Sequence, residues 1–460
     1  MLVKSSCVLD RLRLTFFNVY SAERAYVIVL ILALTQGPVY RIWYASGAST
    51  ALVPNPPIVL AHYATFLAVQ VPGLILLGRY LRREHVQSVN AWLMLVFLAW
   101  MSFSVLWSTL SRQSIIEALS LVTTACCALY LVVRFSIEQR LWMTYLAMQG
   151  GVTLSIFAVA RNWTVSVSES EGYWIGIYLN RNSLAPVTAI GMLAGAMLLP
   201  KIRGRTLQRR RIGQFVVAGT VILDAYVLWR SESTTSVAAL ALATCGAAFW
   251  LVVRVVSQRS AGGHPFVRYS HFIYIISVSL GIWFLLSIQG RVLTALGQTT
   301  DFSGRLAHWR FSWNGFLANP FVGYGWQAAW RDPEFLKGPG WWALPNVKRI
   351  VADSGSVSLA VDPDRSWSHS GYFDVLLGGG VVAGIVMIAL LVSVVVEQRH
   401  AVVQSHQSVW NMAVVWFVVA AASQESFIVG NHFLWLCLAT ALWTATSPEQ
   451  QDVRATTARD

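Results

Sequence analysis

The sequence predicts an all-α polytopic integral membrane protein with about twelve transmembrane helices. Hydrophobic residues make up 56% of the 460 residues, whereas charged residues make up only 12%, about half the fraction found in soluble domains. Apolar runs of about 17–25 residues, the length that crosses a bilayer as a helix, recur along the whole chain. These runs are too long and continuous for the alternating strands of a membrane β-barrel. A soluble enzyme, a disordered protein and a disulfide-rich scaffold are therefore excluded.

The predicted spans form one integral membrane domain over residues 1–460, because no polar linker divides them. The apolar runs cover residues roughly 25–45, 58–78, 91–108, 114–133, 141–160, 174–199, 212–229, 236–256, 270–289, 371–396, 409–423 and 427–446. A connection at 290–369 separates the ninth span from the tenth, and a polar tail follows at 447–460. A connection of that length is unusual in a compact protein unless it has a function.

The distribution of basic residues predicts that both termini lie in the cytoplasm. Cytoplasmic connections carry an excess of lysine and arginine, and here the N-terminus and every second connection are basic. The alternate short connections carry about one basic residue each: Arg41, Arg112, Arg161 and Arg230. The connection at 290–369 therefore faces the outside. The net charge of +13 is not concentrated in a basic module interleaved with aromatic residues, so membrane lipids are expected as partners and nucleic acid is not.

Two charged positions near the outer ends of spans are candidates for function, since charge within a membrane is costly. Arg181 begins the sixth span between Asn180 and Asn182. This arrangement suits a pocket for an anion, although an interfacial arginine also extends toward water without binding anything. Asp224 lies within the seventh span, where it either pairs with an arginine on a neighbouring helix or takes part directly in function.

Further candidates lie in the outer connection. Arg305 and Arg310 are near the start of a predicted amphipathic helix that ends before Asn319-Pro320. Gly323 and Gly325 follow, and glycine permits the backbone to approach another surface closely. The sequence therefore predicts a helix with two arginines, followed by a segment that contacts its surroundings through its main chain.

Tryptophan is concentrated in the same connection, at Trp309, Trp313, Trp326, Trp330, Trp341, Trp342 and Trp367. Rings at this density suit either the membrane interface or stacking against sugar faces, and the residues alone leave both interpretations open. His369 lies where the connection re-enters the membrane at the start of the tenth span. A histidine at that boundary is often only interfacial. This one is expected to lie across from arginines that can hold an anion, a position that also suits a reactive residue.

The ordered set of these motifs resembles the O-antigen ligase and polymerase superfamily, nearest its exopolysaccharide-polymerase-like branch. The resemblance covers roughly residues 170–385. The motifs are Gly176–Leu184; Ser231-Glu232-Ser233-Thr234-Thr235; Gly304-Arg305 through Trp309; Asn319-Pro320; Gly323-Tyr324-Gly325; and His369-Ser370 followed by Leu376-Leu377 and Gly378-Gly379-Gly380. The number of spans and the long outer connection agree with that family.

The chain departs from the family pattern at two motifs. Where that branch usually has His-Lys-Asn, this chain has Asn180-Arg181-Asn182, which keeps a cation in the middle position. Where the branch has Ser-Arg-Thr, this chain has Ser231-Glu232-Ser233, with its arginine displaced to Arg230.

The resemblance implies a metal-independent inverting glycosyltransferase, without a cofactor, at the outer face of the bacterial cytoplasmic membrane. Its donor is a glycan on undecaprenyl pyrophosphate, and its acceptor is a hydroxyl of another glycan or of a lipid. If the acceptor is a second lipid-linked glycan the enzyme is a polymerase, and if it is lipid A-core or a protein the enzyme is a ligase. The sequence leaves both open.

The chemistry of the candidate residues agrees with that activity. A pyrophosphate leaving group needs its growing negative charge neutralised, and arginine binds phosphate oxygens two at a time. Histidine is the side chain best suited to accept a proton near neutral pH. The expected roles are pyrophosphate binding by Arg181 and Arg305, then Arg310 and Arg230; His369 as base; and support from Asn180, Asn182, Asp224 and Trp309.

A polytopic transporter or flippase of polysaccharide precursors is the alternative from a different class. Many carriers also have about twelve helices, but they are built from internal repeats with paired broken helices near the membrane midplane. No similarity between the two halves of this chain is visible, and its polar residues gather toward the outer face. A purely structural membrane protein is a third possibility, which the ordered motifs disfavour.

Overall fold

In the computed structural model, the regular secondary structure of the described residues is helical, apart from one short pair of antiparallel strands and an isolated bridge between Val167 and Trp174. It describes residues 20–44, 56–86, 88–163, 166–169, 171–202, 206–259, 269–270, 272–273, 276, 305–332, 334–338, 347–351, 357–361, 368–404, 407–428 and 430–444. Most of the predicted ninth span at 270–289, much of the connection at 290–369 and the whole tail at 447–460 lie outside the described residues.

The helices follow the apolar runs of the sequence. Their bounds are 20–34 for α1, Gly37–Tyr44 for α2, Pro56–Tyr80 for α3, Val89–Phe103 for α4, Ser111–Arg134 for α5, Ile137–Ala160 for α6, Arg181–Leu198 for α7, Leu207–Ser231 for α8, Thr234–Arg259 for α9, Arg305–Ala318 for α10, Gly371–Gln404 for α11, Gln407–Ala422 for α12 and Phe433–Thr444 for α13. Short 3-10 helices lie at Arg83–Val86, Ser104–Leu106, Leu199–Lys201, Ala329–Arg331 and Phe335–Lys337. Strand β1 (Val347–Val351) pairs with β2 (Val357–Val361).

Seven helices in the described ranges are long and apolar enough to cross a membrane, which confirms the predicted helical membrane class. They are Val89–Leu106, Ser111–Arg134, Ile137–Ala160, Arg181–Lys201, Leu207–Ser231, Thr234–Arg259 and Gly371–Glu397. The apolar helices α12 and α13 have only 16 and 12 residues, fewer than the roughly 20 that cross a hydrocarbon core. The predicted number of twelve spans is not confirmed by these helices.

The chain divides into two compact units. Unit 1 comprises Met1–Ser49, Pro56–Pro72 and Phe135–Ser236, and unit 2 comprises Thr50–Asn55, Gly73–Arg134 and Val237–Asp460. In unit 1, α7 packs against both α6 and α8. Two glycines one helical turn apart on α7 permit this: an added Cβ at Gly191 would lie 2.8 Å from Asp224 Oδ2, and one at Gly195 would lie 2.6 Å from Val221 Cγ2. Small residues at such positions are typical of close contacts between membrane helices.

In unit 2, α5 packs against α13 and α4 packs against α11. Two buried tryptophans of α13 donate their indole N–H groups to backbone carbonyls of α5, Trp435 to Leu121 at 3.1 Å and Trp443 to Ala125 at 3.0 Å. Most residues of α13, from Phe433 to Thr444, are buried within the protein. The short helix α13 is therefore a core element of unit 2.

Helix α11 is broken near its start at Gly380, whose φ of 67° and ψ of −165° are not helical. A bent segment, Pro320–Gly325, contacts the break through its main chain. Val381 N donates to Pro320 O and Tyr324 N donates to Leu377 O, both at 2.7 Å. Because a break in an apolar helix leaves peptide groups without helical partners, these bonds replace the ones that the helix loses.

The predicted close approach of the glycine-rich segment is present in the structure. An added Cβ at Gly323 would lie 2.3 Å from Leu377 O, and one at Gly325 would lie 2.4 Å from Ser108 Cβ. Two indole groups complete the contact, with Trp107 Nε1 donating to Val322 O at 2.9 Å and Trp100 Nε1 donating to Gly379 O at 2.8 Å. The segment is thus held to the break from several sides.

We predict that Gly380→Ala lowers the free energy of unfolding by about 3 kcal/mol or more, because the φ and ψ of this residue are accessible almost only to glycine. The new Cβ would also meet Phe321 O at 2.1 Å. The matched control is Gly219→Ala in α8, where an added Cβ has nothing within 4 Å and where alanine favours the helix. Thermal unfolding in detergent measures both variants, and equal melting temperatures would contradict the prediction.

Candidate functional site

Two residues predicted from the sequence, Arg305 and His369, meet at one carboxylate in unit 2. The Arg305 guanidinium forms an ion pair with Oε1 of Glu425, and Nδ1 of His369 lies 3.6 Å from the other carboxylate oxygen, Oε2. Arg305 also donates to Oε1 of Gln424 at 2.8 Å. The side chains of Arg305 and Glu425 are only 14% and 12% exposed, and that of His369 is 24% exposed. The histidine is therefore the most accessible member of the cluster.

Glu425 is positioned by the connection between α12 and α13. Its backbone carbonyl accepts a hydrogen bond from Gly371 N at the start of α11, at 3.1 Å. Farther along this connection, Asn431 donates its side-chain amide to Ser120 Oγ at 2.9 Å and its backbone N–H to Thr124 Oγ1 at 3.2 Å. The connection is thus attached both to α11 and to α5.

His369 adopts a left-handed backbone conformation, with a φ of 51°, which is uncommon for a residue other than glycine. The turn is held by Ser368, whose hydroxyl donates to Asp374 Oδ1 at 2.6 Å and accepts from Ser370 N at 3.0 Å. Trp309 Nε1 donates to His369 O at 3.4 Å. Strained backbone that the surroundings hold in place is frequent at active sites.

The N-terminal part of helix α10 lies against the left-handed turn at His369. The ring of His308, which is buried, lies edge-on to that of His369 with centroids 5.2 Å apart. Beneath it, Phe311, Trp330, Phe335 and Leu377 form an apolar cluster. Arg310 lies on the exposed side of the helix. The structure therefore brings Arg305 and Trp309 to His369 and leaves Arg310 facing away from protein.

Several buried polar atoms near the histidine have no hydrogen bond of normal geometry within the described part of the chain. Gln327 and Ser426 lie close to the Asp374 carboxylate, yet Asp374 Oδ2, Gln327 Nε2 and Ser426 Oγ are all unsatisfied, as is Ser312 Oγ one turn after His308. Gln327 also has a positive φ, 56°. Buried polar groups are normally paired, and Gln327 and Ser426 lie where they can donate to the Asp374 carboxylate, so these three side chains are placed to satisfy one another.

The predicted motif at Asn180 begins α7 in unit 1. Asn180 is its N-cap and accepts a hydrogen bond from Ser183 N at 2.9 Å, the usual role of asparagine there. Asn182 accepts from Ser233 Oγ, also at 2.9 Å. Arg181 stacks over Tyr173, 4.5 Å from the ring centroid, and lies 3.7 Å from Glu171. A cation is unfavourable at a helix N-terminus, and here the Glu171 carboxylate and the Tyr173 ring compensate the charge of Arg181.

Arg230 ends α8, where a cation is favourable. Its guanidinium lies 5.6 Å from the ring centroid of Trp174 and 5.8 Å from that of Trp229, and it donates to Gly172 O at 3.4 Å. Cation–π contacts of this kind hold an arginine in place, and the Nε of Arg230 is buried. The predicted site residues are divided between the two units. Arg181 and Arg230 belong to unit 1, and four others belong to unit 2: Arg305, Arg310, Trp309 and His369.

Within the described residues, Asp224 has no arginine partner of the kind that the sequence suggests. It is fully buried in α8, and the side chain of Gln149 on α6 donates to its Oδ2 at 2.6 Å. One turn earlier on the same faces, Tyr145 and Thr220 share a hydrogen bond of 2.5 Å between their hydroxyls. These pairs join α6 to α8 opposite the glycines of α7, so the structure gives Asp224 a role in helix packing.

Sequence reasoning missed Glu425, Gln424 and His308. The first two lie in a short polar connection between apolar runs, a place where polar residues need no special explanation. Within the described ranges, no three histidine, cysteine, aspartate or glutamate side chains form a group that could hold a metal ion. Neither protein-family models nor curated proteins give a match to this chain.

We predict that Gln149→Leu lowers the free energy of unfolding by about 1–3 kcal/mol, because it leaves the buried Asp224 oxygen without its donor. Asp224→Asn should cost less, since the asparagine oxygen still accepts from Gln149. The double variant Gln149→Leu with Asp224→Leu should recover part of the loss, because both polar groups are then removed together. Thermal unfolding in detergent compares the three, and a larger loss for Asp224→Asn than for Gln149→Leu would instead show that the charge itself is required.

Proposed function

We propose that this protein is a glycosyltransferase that moves a glycan from undecaprenyl pyrophosphate to an acceptor hydroxyl, as O-antigen ligases and exopolysaccharide polymerases do. The observation that carries the proposal is the meeting of Arg305 and His369 at the Glu425 carboxylate. Both residues belong to the motifs that resemble that superfamily, and a histidine supported by a carboxylate is the usual arrangement of a general base. The left-handed turn at His369 adds support.

The reaction consists of one proton transfer and one displacement. The acceptor hydroxyl oxygen attacks C1 of the donor sugar while its proton passes to Nε2 of His369, the ring nitrogen that does not face Glu425. The bond between C1 and the pyrophosphate oxygen breaks, and its electron pair leaves with the lipid pyrophosphate. Attack from the face opposite the leaving group inverts the configuration at C1.

The leaving group gains negative charge as the bond breaks, and arginine side chains stabilise that charge through paired N–H donors. Of the arginines in unit 2, Arg310 is exposed, so its guanidinium is accessible to a ligand. The pyrophosphate-binding roles of Arg181 and Arg230, which belong to unit 1, stay predictions from the sequence. No metal or cofactor is part of the proposed reaction.

The proposed setting is the outer face of the bacterial cytoplasmic membrane, with twelve spans and both termini in the cytoplasm. Counting spans places the connection at 290–369 and the one at Ser423–Ser426 on the same, outer side. Contacts between residues of these two connections support that arrangement, because Glu425 binds Arg305.

Transport or flipping of a polysaccharide precursor is the alternative. The observation that favours it is the buried Asp224, because a carboxylate within a membrane often marks a pathway for ions or substrates. Its amide partner and its position against two glycines of α7 favour helix packing instead, so the enzyme is the better-supported function.

The test is an assay of purified protein in nanodiscs with a lipid-pyrophosphate-linked oligosaccharide, with and without acceptor glycans, in EDTA. We expect acceptor-dependent release of lipid pyrophosphate, and a loss of at least about 100-fold in His369→Ala, the contribution of a general base. Lys337→Ala, on an exposed residue paired with Glu334, is the control and should keep full activity.

Full activity of His369→Ala would remove this histidine from the mechanism. If no donor is consumed but the lipid-linked glycan crosses sealed vesicles, the protein is a transporter. The acceptor that supports release distinguishes a ligase from a polymerase.

Sidedness is tested separately by labelling single cysteines in a variant that lacks the five native cysteines. We predict that Lys337→Cys reacts with a membrane-impermeant maleimide in intact cells, because residue 337 is exposed and lies in the outer connection. Arg210→Cys, at the exposed start of α8, should react only after the membrane is permeabilised. The reverse pattern would invert the proposed topology.

A further inference from the structure

Glu425 contacts two of the predicted site residues with its two carboxylate oxygens. Oε1 accepts from the Arg305 guanidinium, and Oε2 faces Nδ1 of His369 at 3.6 Å. Its backbone carbonyl is also bonded, to Gly371 N at 3.1 Å. The carboxylate is therefore fixed in position and in orientation, with one oxygen directed at each partner.

We infer that Glu425 is a positioning residue for His369, and that Arg305 acts on Glu425 rather than on the pyrophosphate. This inference rests on the proposed function and assigns Arg305 a different role from the one the sequence suggests. Glu425 holds the proton of His369 on Nδ1 and so leaves the lone pair of Nε2 for the acceptor hydroxyl. Arg305 holds Glu425 in the orientation that makes this possible.

The Glu425 carboxylate favours one tautomer of His369. At 3.6 Å the contact between Nδ1 and Oε2 is electrostatic and longer than a hydrogen bond. A carboxylate accepts hydrogen but does not donate it, so hydrogen is favoured on the nitrogen that faces Glu425. The left-handed turn and the bond from Trp309 Nε1 to His369 O fix the backbone from which the ring extends. When the ring accepts a second proton from the acceptor hydroxyl, the same carboxylate stabilises the imidazolium that forms.

The contacts of Arg305 orient its guanidinium within the protein. Its NH2 group binds Glu425 and its NH1 group donates to Gln424 at 2.8 Å, so each terminal nitrogen uses one of the five N–H donors of the side chain. Turning the whole guanidinium toward a phosphate would break its pair with a carboxylate that is only 12% exposed. Breaking such a pair leaves a buried charge without compensation and is strongly unfavourable.

A double-mutant cycle tests the inference, with Glu425→Gln, Arg305→Met and the two combined. Glu425→Gln should lower kcat about 100-fold and change the KM for the lipid-linked donor by less than about twofold, since it acts on the base and not on donor binding. Arg305→Met should also lower kcat without raising that KM. The double variant should be no slower than the slower single variant, because the two residues act through one contact.

If Arg305 and Glu425 act independently, the double-mutant cycle gives a different result. If Arg305 binds the pyrophosphate, Arg305→Met raises the KM for the donor, and its effect multiplies with that of Glu425→Gln. Arg305→Lys provides the same comparison in a variant that keeps the charge, in case Arg305→Met does not fold. The matched control is Glu334→Gln, which removes an exposed carboxylate paired with Lys337 and should leave kcat and KM unchanged.

Nitrogen-15 spectra of protein labelled at its nine histidines test the inference without turnover. We expect a single His369 tautomer with hydrogen on Nδ1 and a mixture of tautomers in Glu425→Ala, with His369→Asn identifying the resonances. An unchanged tautomer in Glu425→Ala would overturn the inference even if the enzyme is active. An inactive wild-type protein whose His369 tautomer depends on Glu425 would instead overturn only the proposed function.

Discussion

The contact on which the candidate site depends is the one between the Pro320–Gly325 segment and the break in α11. The apolar helix is interrupted at Gly380, and an interruption leaves peptide groups that a membrane interior cannot satisfy. Main-chain bonds from Val381 to Pro320 and from Tyr324 to Leu377 satisfy them. Because α10 ends immediately before this segment and His369 lies just before α11, the contact fixes the distance between Arg305 and His369.

The site is assembled from segments that are far apart in the sequence but attached to one another within unit 2. Arg305 begins α10, His369 precedes α11, and Glu425 lies between α12 and α13. Hydrogen bonds from Asn431 to α5 and from Gly371 to Glu425 hold the last of these. These attachments use the main chain of Glu425 and side chains outside the Arg305–Glu425–His369 cluster, so they do not engage the Glu425 carboxylate.

Much of the fold follows from the sequence, whereas less of the site does. Runs of apolar residues give the helices nearly at their observed positions, and glycine at 323 and 325 predicts the close approach because few other residues permit it. The sequence does not predict Gln149 as the partner of Asp224 or Glu425 as the partner of His369. A glutamine at 149 and a glutamate at 425 are ordinary residues in their local sequence, and only the packing of distant helices makes them partners.

The contact at the α11 break also affects how related sequences will vary. At Gly323 the missing side chain faces Leu377 O, and at Gly380 it faces Phe321 O, so each glycine leaves room for the main chain of the other segment. A side chain added at either glycine would clash with a backbone carbonyl oxygen. No substitution elsewhere relieves that clash, because every residue has this oxygen. Both positions should be invariant among relatives that share this fold, and methods that detect contacts from correlated substitutions will not see this one.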